Sequence, residues 1–271
     1  MFVDTHCHIN TIIKKEFDQP LPKDFKELSQ PIIDEAAAHH VTTIINVGTS
    51  VIESVNCLLL ATSFKNVWAT LGTHPNDLTP TWKDDIATYK KMLQGPDKDR
   101  IVGIGEIGLD YHYPDYDKQR QYDGFRAQIE LALEHQLPIV IHTRDAGDET
   151  LTVLEEYKQN NIRGIIHCFS ENSAFARHAR ELGFFLGIGG TLTYPKNQYL
   201  RDICIETPLN SIVLETDAPF LPPQYIRGKQ NSPAQIAYIA RFLADLKGVD
   251  LKSIATQTTS NALGLFKISE S

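Results

Sequence analysis

Two patterns of apolar and polar positions alternate along the chain. Short apolar runs rich in β-branched residues recur eight times, and longer stretches with helical spacing separate them. In the stretch 117–136, Tyr122, Phe125 and Ile129 fall on one face, as in an amphipathic helix. Proline opens a second predicted helix, 31–40. The predicted strands are 2–5, 43–47, 67–71, 101–106, 138–142, 164–167, 184–188 and 211–217.

Strands that alternate with helices are typical of a parallel sheet with crossover helices. Eight repeats favour a closed, TIM-like (β/α)₈ barrel over an open doubly wound sheet, and 271 residues is an ordinary length for such a barrel. No linker or low-complexity tract interrupts the chain, so residues 1–271 are predicted to form a single domain. In barrels of this kind the active site lies at the carboxyl ends of the strands.

Composition restricts the class of protein further. No apolar run approaches the roughly 20 residues that cross a bilayer, and the N-terminus lacks the basic and apolar regions of a signal peptide. The four cysteines have no Cys-x-x-Cys spacing, which favours reduced thiols over a disulfide framework. We therefore predict a cytoplasmic protein without membrane contact, and the sequence indicates no obligate protein partner.

The chain is acidic, with a formal charge of -8 and a pI near 5.7. Proteins that coat duplex nucleic acid usually carry a basic face, because neutralised phosphates supply most of the non-specific affinity. Any nucleic-acid role is therefore expected to be local. It would involve a DNA end, a short single strand or a small substrate.

Residues capable of metal binding or acid–base chemistry recur at the predicted strand ends. His6 and His8 alternate along the first strand, so their imidazoles point to the same face. Glu106 lies in a glycine-rich segment that permits close backbone approach. If the barrel is correct, these side chains converge on one rim. In chain order the strand-end residues are His6, His8, His74, Glu106, His142, His167 and Asp217.

Without His74, this set supplies four imidazoles and two carboxylates. Six ligands are too many for one tetrahedral ion and suit two ions that share a bridging carboxylate. A buried carboxylate such as Glu106 would be costly without a cation. The alternative interpretation is that the histidines only cap strand ends through hydrogen bonds. Mixed ligands suit Zn²⁺, Mn²⁺ or Ni²⁺, and open positions also admit Mg²⁺.

Six sequence blocks contain the strand-end residues. They are Asp4-Thr5-His6-Cys7-His8, Gly72-Thr73-His74-Pro75, Gly105-Glu106-Ile107-Gly108-Leu109-Asp110-Tyr111, Pro138-Ile139-Val140-Ile141-His142-Thr143-Arg144, His167-Cys168-Phe169-Ser170 and Glu215-Thr216-Asp217-Ala218-Pro219. Together they resemble the TatD family, and the resemblance continues to Asn261-Ala262-Leu263-Gly264-Leu265-Phe266. It implies a metal-dependent hydrolase on a TIM-like barrel, typically a deoxyribonuclease that removes nucleotides from DNA 3′ ends. By position, the resemblance implies His6, His8 and Asp217 as ligands of one ion, His142 and His167 of the other, and Glu106 as the bridge.

Two positions depart from the family pattern. Glu171 follows His-Cys-Phe-Ser, where the family often has glycine, and Asn231-Ser232-Pro233 stands where it often has Asn-Glu-Pro. Neither position is a predicted ligand. Both lie in predicted rim loops, so they bear on the substrate more than on the type of reaction.

Further residues are candidates for contacts with the substrate. Arg144 follows His142 by two residues, and its guanidinium suits phosphate oxygens, although an ion pair with Asp145 or Asp148 is the alternative. Arg227-Gly228-Lys229 is a second candidate for phosphate contacts, and the alternative is a solvated turn. His74 is a candidate for substrate contact, and the alternative is a structural histidine. A tyrosine at the rim can stack on a base. The candidates are His74, Asp110, Tyr111, Arg144 and Arg227, with His112 and Lys229 as weaker additions.

The expected mechanism is in-line attack of water on phosphorus, assisted by two divalent ions. Asp217 is the candidate general base, Glu106 the bridging carboxylate and Arg144 the group that offsets developing charge. Glu215 shares a strand face with Asp217 and is expected to orient a ligand.

Three other functions remain compatible with the sequence. Amidohydrolases and phosphotriesterases also begin with His-x-His, but they usually bridge the metals with lysine, where this chain offers Glu106. Ester cleavage on a charged tRNA, such as D-aminoacyl-tRNA deacylation, is possible within the same resemblance. A non-enzymatic scaffold is the third, although scaffolds tend to lose ligands and all six are present here.

Overall fold

Eight parallel strands form one sheet in the computed structural model, which describes residues 1–269. Each strand pairs with its neighbour in sequence, in the order β1 to β8. The eight-strand (β/α)₈ barrel predicted from the sequence is confirmed. The strands are β1 (Phe2–Cys7), β2 (Val41–Val47), β3 (Val67–Leu71), β4 (Ile101–Asp110), β5 (Ile139–Arg144), β6 (Gly164–Ile166), β7 (Phe184–Ile188) and β8 (Ile212–Leu214).

The barrel closes between β1 and the segment that follows β8. Cys7 and Ala218 form a parallel bridge, the His8 N–H donates to the Ala218 carbonyl at 2.8 Å, and the Asp217 N–H donates to the His6 carbonyl at 2.8 Å. Closure therefore joins the two ends of the sheet at the backbone of His6, His8 and Asp217.

Ten helices within residues 1–269 surround the barrel, and short 3₁₀ turns connect several elements. The helices are α1 (Ile9–Lys14), α2 (Phe25–Ala38), α3 (Val51–Ser63), α4 (Trp82–Leu93), α5 (Lys118–His135), α6 (Gly147–Glu156), α7 (Ser173–Glu181), α8 (Gln198–Glu206), α9 (Ile236–Lys247) and α10 (Leu251–Phe266). The 3₁₀ turns are Pro75–Asp77, Lys98–Arg100, Lys158–Asn160, Gly190–Thr193, Leu209–Ser211, Gln224–Ile226 and Pro233–Gln235. No helix in residues 1–269 is both long and apolar enough to cross a bilayer.

One hydrophobic cluster fills the inside of the barrel, and a second, larger one lies between the strands and the surrounding helices. The inner cluster joins barrel residues such as Val3, Val102 and Val213 to Leu265 and Phe266 of α10. Phe266 packs close to Gly103 near the start of β4, so α10 covers the end of the barrel where the strands begin. The opposite end, where the strands finish, is left for polar side chains.

The helix predicted over 31–40 begins earlier, at Phe25, and ends at Ala38. Pro31 lies inside it rather than at its start. A proline in a helix leaves one carbonyl without an N–H partner. Pro31 and Glu27, whose carbonyl is affected, are both exposed, so water can solvate that group. The helix predicted over 117–136 is α5, which begins after an Asp117 cap.

Candidate metal centre

Four imidazoles and two carboxylates converge where the strands finish. His6 Nε2 lies 3.0 Å from His8 Nε2 and 3.3 Å from Glu106 Oε2. His8 Nε2 lies 3.3 Å from Asp217 Oδ1. These residues come from β1, from the position just after it, from β4 and from the segment after β8, and they form one side of the centre.

Glu106 connects this side to a second group of imidazoles. Its other oxygen, Oε1, lies 2.9 Å from His142 Nδ1 and 3.7 Å from His167 Nε2. The His6 and His167 rings stack at 3.6 Å between centroids. The two carboxylate oxygens of Glu106 therefore face different imidazole groups.

Irregular strand pairing places His6 and Glu106. The register between β1 and β2 shifts between Asp4 and Cys7, and the register between β4 and β5 shifts between Ile104 and Ile107. Such irregularities re-aim side chains and are frequent beside active sites. Gly72 permits the approach of β4, because a Cβ at this position would lie 2.7 Å from the carbonyl carbon of Gly105.

Asp217 lies beyond β8 in the left-handed backbone region, with φ of 56°. Asp4 holds this segment against β1. Its buried carboxylate accepts hydrogen bonds from the Thr216 hydroxyl at 2.6 Å and from the backbone N–H groups of Thr216 and His6 at 3.0 and 3.2 Å. Burial raises the pKa of Asp4 to about 8, although these hydrogen bonds oppose the shift. Asp4 thus helps to position Asp217, although it is not itself one of the predicted ligands.

Three of the imidazoles have a polar group close to their second ring nitrogen. His8 Nδ1 lies 3.0 Å from the Val47 carbonyl. His142 Nε2 lies 3.0 Å from Asp110 Oδ2, and His167 Nδ1 lies 3.0 Å from Glu215 Oε1. Carboxylate and carbonyl partners of this kind fix the orientation of metal-binding histidines.

The electrostatics of the cluster favour a bound cation. Burial opposes ionisation of Glu106, but the surrounding imidazoles, foremost His167 and His142, hold its pKa well below its ordinary value. Burial also opposes protonation of His167, but the carboxylates of Glu215 and Glu106 raise its pKa to about 10. Protons on the imidazoles thus balance the carboxylates, and a divalent ion can take their place.

The donor set passes a simple test of fit for divalent metals. His6, His8 and Glu106 offer three ligand atoms within 4.8 Å of one another, and so do Glu106, His142 and His167. His6 Nδ1 is buried and has no hydrogen-bond partner among the described residues. Within residues 1–269 no lysine or arginine lies within 4.0 Å of the carboxylates of the centre. Nitrogen and oxygen donors without a fixed cation suit Zn²⁺, Mn²⁺ or a similar ion.

His74 and Asp110 lie at the edge of the centre. His74 Nε2 is 3.7 Å from Glu106 Oε1, and its Nδ1 accepts a hydrogen bond from the Asn76 N–H at 3.2 Å. Burial and the nearby His142 lower the pKa of His74 to about 3, so it is neutral. Burial opposes ionisation of Asp110, but its hydrogen bonds, first from His142, lower its pKa to about 2. With His142, these two residues form another candidate metal-binding group.

The remaining predicted substrate residues are spread around the rim. The Arg144 side chain is exposed and lies 5.8 Å from the centre of the Tyr113 ring, and neither Asp145 nor Asp148 pairs with it. Arg227 lies over the Tyr194 ring at 4.7 Å, and Lys229 is exposed.

The tyrosines after β4 differ in how accessible they are. Tyr111 is half-buried and packs against Tyr116 at 4.5 Å and under the Lys118 ammonium at 4.9 Å. His112 pairs instead with Asp145 at 2.9 Å. The exposed tyrosine beside Arg144 is Tyr113, which sequence reasoning did not identify.

The two departures from the family pattern, Glu171 and Ser232, lie in ordered loops, and the Ser232 N–H donates to Asn231 Oδ1 at 3.0 Å. Glu171 packs against the start of α6, where a Cβ on Gly147 would lie 2.6 Å from its Oε2. Asn231 is buried, and its Nδ2 donates to the carbonyls of Thr216 at 2.8 Å and Phe220 at 2.7 Å. Asn231 therefore anchors both sides of the turn that carries Asp217.

The chain is similar over most of its length to known proteins. A profile described as TatD related DNase matches residues 3–267. The metal-dependent hydrolase YabD of Bacillus subtilis is 34% identical over 268 residues, which cover 99% of this chain and 100% of YabD. The 3′-5′ ssDNA/RNA exonuclease TatD of Erwinia amylovora is 30% identical over 241 residues, which cover 87% of this chain and 92% of that protein. YjjV, a TatD homologue of Escherichia coli K12 with a crystal structure, has a TM-score of 0.89 at 29% identity and covers 99% of this chain and 98% of its own. The chain therefore belongs to the TatD family of metal-dependent hydrolases.

Proposed function

We propose that this chain is a 3′-5′ exonuclease that hydrolyses phosphodiester bonds at the ends of single-stranded DNA with the help of two divalent ions. The observation that carries the proposal is the placement of Glu106. One of its oxygens faces His6 at 3.3 Å, while the other faces His142 at 2.9 Å. A buried carboxylate between two imidazole groups suits the bridge of a two-ion centre better than a hydrogen-bonded strand cap.

The proposed ligands divide between the two sides of this carboxylate. His6, His8 and Asp217 would hold one ion, His142 and His167 would hold the other, and Glu106 would be shared between them. When bound, such ions polarise a phosphoryl group and lower the pKa of water.

Asp217 is the proposed general base for the attacking water. Its side chain is 15% exposed, compared with 5% for Glu106, so it is the more accessible of the two carboxylates. A base must reach the proton that it accepts, and access from the rim favours Asp217.

Arg144 is proposed to bind the scissile phosphate. Its guanidinium is exposed on the rim at the end of β5, two residues beyond His142, and no carboxylate of residues 1–269 pairs with it. Neutral His74 has an Nε2–H available, because its Nδ1 accepts from the Asn76 N–H, and it is the second proposed phosphate contact. Asp110 contributes by holding His142, while Tyr111 and Arg227 are proposed to border the path of the strand.

The surface charge favours DNA ends over duplex interiors. With a net charge of -8, the chain lacks the excess of cations that long duplex binding requires. The Erwinia amylovora relative is described as a 3′-5′ ssDNA/RNA exonuclease. Both points support a short single strand or a 3′ end as the substrate.

The test removes all metal from the purified protein and restores divalent ions one at a time. Each preparation is assayed on 3′-tailed linear DNA, on covalently closed circles and on aminoacyl-tRNA. We expect metal-dependent release of nucleotides from 3′ ends and much slower cleavage of closed circles. Equal rates on both DNA forms would refute the preference for ends. Cleavage of aminoacyl-tRNA without cleavage of DNA would replace the proposal with ester hydrolysis.

A further inference from the structure

Two exposed phenylalanines lie beside the metal centre. Phe17 is 49% exposed and Phe220 is 39% exposed. Their rings are nearly parallel, with 8° between planes and 6.0 Å between centroids. The Phe220 ring also lies 6.1 Å from the His8 ring. The pair, here called the aromatic platform, therefore extends outward from the His8 side of the centre.

The backbone of Phe220 is held in place by hydrogen bonds. Its N–H donates to the Asp217 carbonyl at 2.8 Å, and its carbonyl accepts from Asn231 Nδ2 at 2.7 Å. Asn231 is only 1% exposed. A buried amide thus fixes the turn that presents this ring to solvent.

Phe17 is held by an independent set of contacts. The next residue, Asp18, donates its N–H to Glu53 Oε1 at 2.6 Å, and Lys14 Nζ donates to the Gln19 carbonyl at 2.7 Å. Lys14 and Glu53 form a buried ion pair at 2.6 Å, with side chains 3% and 1% exposed. A buried pair of this kind adds little net stability compared with apolar residues. Here it fixes the loop that carries an exposed phenyl ring.

We propose that the aromatic platform stacks against the base of the nucleotide next to the scissile phosphate. The proposal rests on the proposed exonuclease function. A phosphodiester at the centre places its adjoining base within reach of Phe220, and every base offers a π face whatever its sequence. Because this acidic chain offers few phosphate contacts, stacking supplies affinity that most nucleic-acid binders take from basic side chains. Phe17 extends the apolar surface without touching the metal centre.

The experiment compares Phe17→Ala and Phe17→Trp with the wild-type protein, all loaded with metal. Ile205→Ala is the control, because Ile205 is 51% exposed but lies near the end of α8, before β8 begins and therefore towards the end of the barrel opposite the rim loops. The substrates are one single-stranded oligonucleotide and versions with an abasic site at the last or the second-last nucleotide. Steady-state KM and kcat and metal content are measured for each protein.

We expect Phe17→Ala to raise KM for the intact oligonucleotide by about 5- to 100-fold, the range that loss of one base–aromatic stack supports. Metal content should not change, and Phe17→Trp should retain tight binding. One abasic substrate should abolish the difference between wild-type protein and Phe17→Ala, because the base that stacks is missing.

The outcomes separate this inference from the function on which it rests. Wild-type protein that cleaves no oligonucleotide refutes the exonuclease proposal and the platform together. Cleavage by wild-type protein with Phe17→Ala equal to Ile205→Ala refutes the platform alone. The platform is also refuted if Phe17→Ala loses the same factor on intact and abasic substrates, since the ring would then contact something other than a base.

Discussion

Two buried clusters of ionisable side chains lie close to the end of β1, and they are neutralised in different ways. In the first, Glu53 is 2.6 Å from Lys14, and Asn10 and Asn56 donate further hydrogen bonds. In the second, every ion-pair partner of Glu106 and Asp217 within residues 1–269 is a histidine. The first cluster carries its own cation within the chain, whereas the second needs protons or metal ions. The comparison teaches that burial of charge alone does not distinguish a metal site, because a buried carboxylate can have a cation of the chain itself as its partner.

The largest expected effect comes from Asp217→Asn. Asparagine keeps an oxygen donor but cannot accept a proton, so turnover should fall by about 10²- to 10⁴-fold while metal content changes little. Rates and metal content measured on the same preparation test this. Parallel loss of metal and activity would make Asp217 a ligand only.

Glu53→Gln should disrupt the Lys14–Glu53 cluster without affecting the candidate metal centre. Removing one partner leaves Lys14 buried and unpaired, which typically costs about 3–5 kcal/mol in the free energy of unfolding. Chemical denaturation measures the loss, and Glu16→Gln, at an exposed position in the same loop, is the control. Bound metal should be unchanged. If Glu53→Gln were as stable as the control, the ion pair would make no contribution to the free energy of unfolding.

The pH dependence of folding stability should also differ between the wild-type protein and Glu53→Gln. Burial opposes ionisation of Glu53, but Lys14 and the two asparagines lower its pKa below the ordinary value. A lowered pKa contributes stability that is present above the unfolded-state pKa and lost as pH falls through the folded-state value. Wild-type protein should therefore lose more stability than Glu53→Gln on acidification below about pH 4.3, the ordinary pKa of glutamate.

Arg144→Ala should have the smallest effect and should leave the metals in place. Loss of a charge-assisted hydrogen bond to phosphate lowers kcat/KM by about tenfold or more. Arg163→Ala is the matched control, because Arg163 is exposed just before β6, at the opposite end of the barrel. Equal kinetics for the two variants would remove Arg144 from the substrate site.

The sequence predicted the barrel and the convergence of the ligands for a simple physical reason. Apolar runs of strand length alternate with helical stretches, and parallel strands in a barrel finish at one rim, so strand-end residues must meet. His6 and Glu106 were found in this way. Contacts between distant segments could not be predicted, because they depend on loop conformation. Lys14 pairs with Glu53 across 39 residues, and the Phe17–Phe220 stack joins two loops at opposite ends of the chain.

Details of strand geometry also could not be predicted from the sequence. The register shifts in β1 and β4 that aim His6 and Glu106 leave no clear pattern in the residues. Strand alternation predicted that Glu215 orients a ligand but not which one, and the structure places it 3.0 Å from His167 Nδ1. The contact between Asp110 and His142 was not predicted, since it requires β4 to continue to Asp110, four residues past its predicted end.

Metal content is the most direct test of the contrast between the two clusters. Elemental analysis at saturating Zn²⁺ or Mn²⁺ should give two tightly bound ions per chain for the wild-type protein and for Glu53→Gln. The His142→Ala, His167→Ala double variant should retain one, held by His6, His8 and Asp217. A wild-type protein that binds only one ion at saturation, or none, would contradict the two-ion centre.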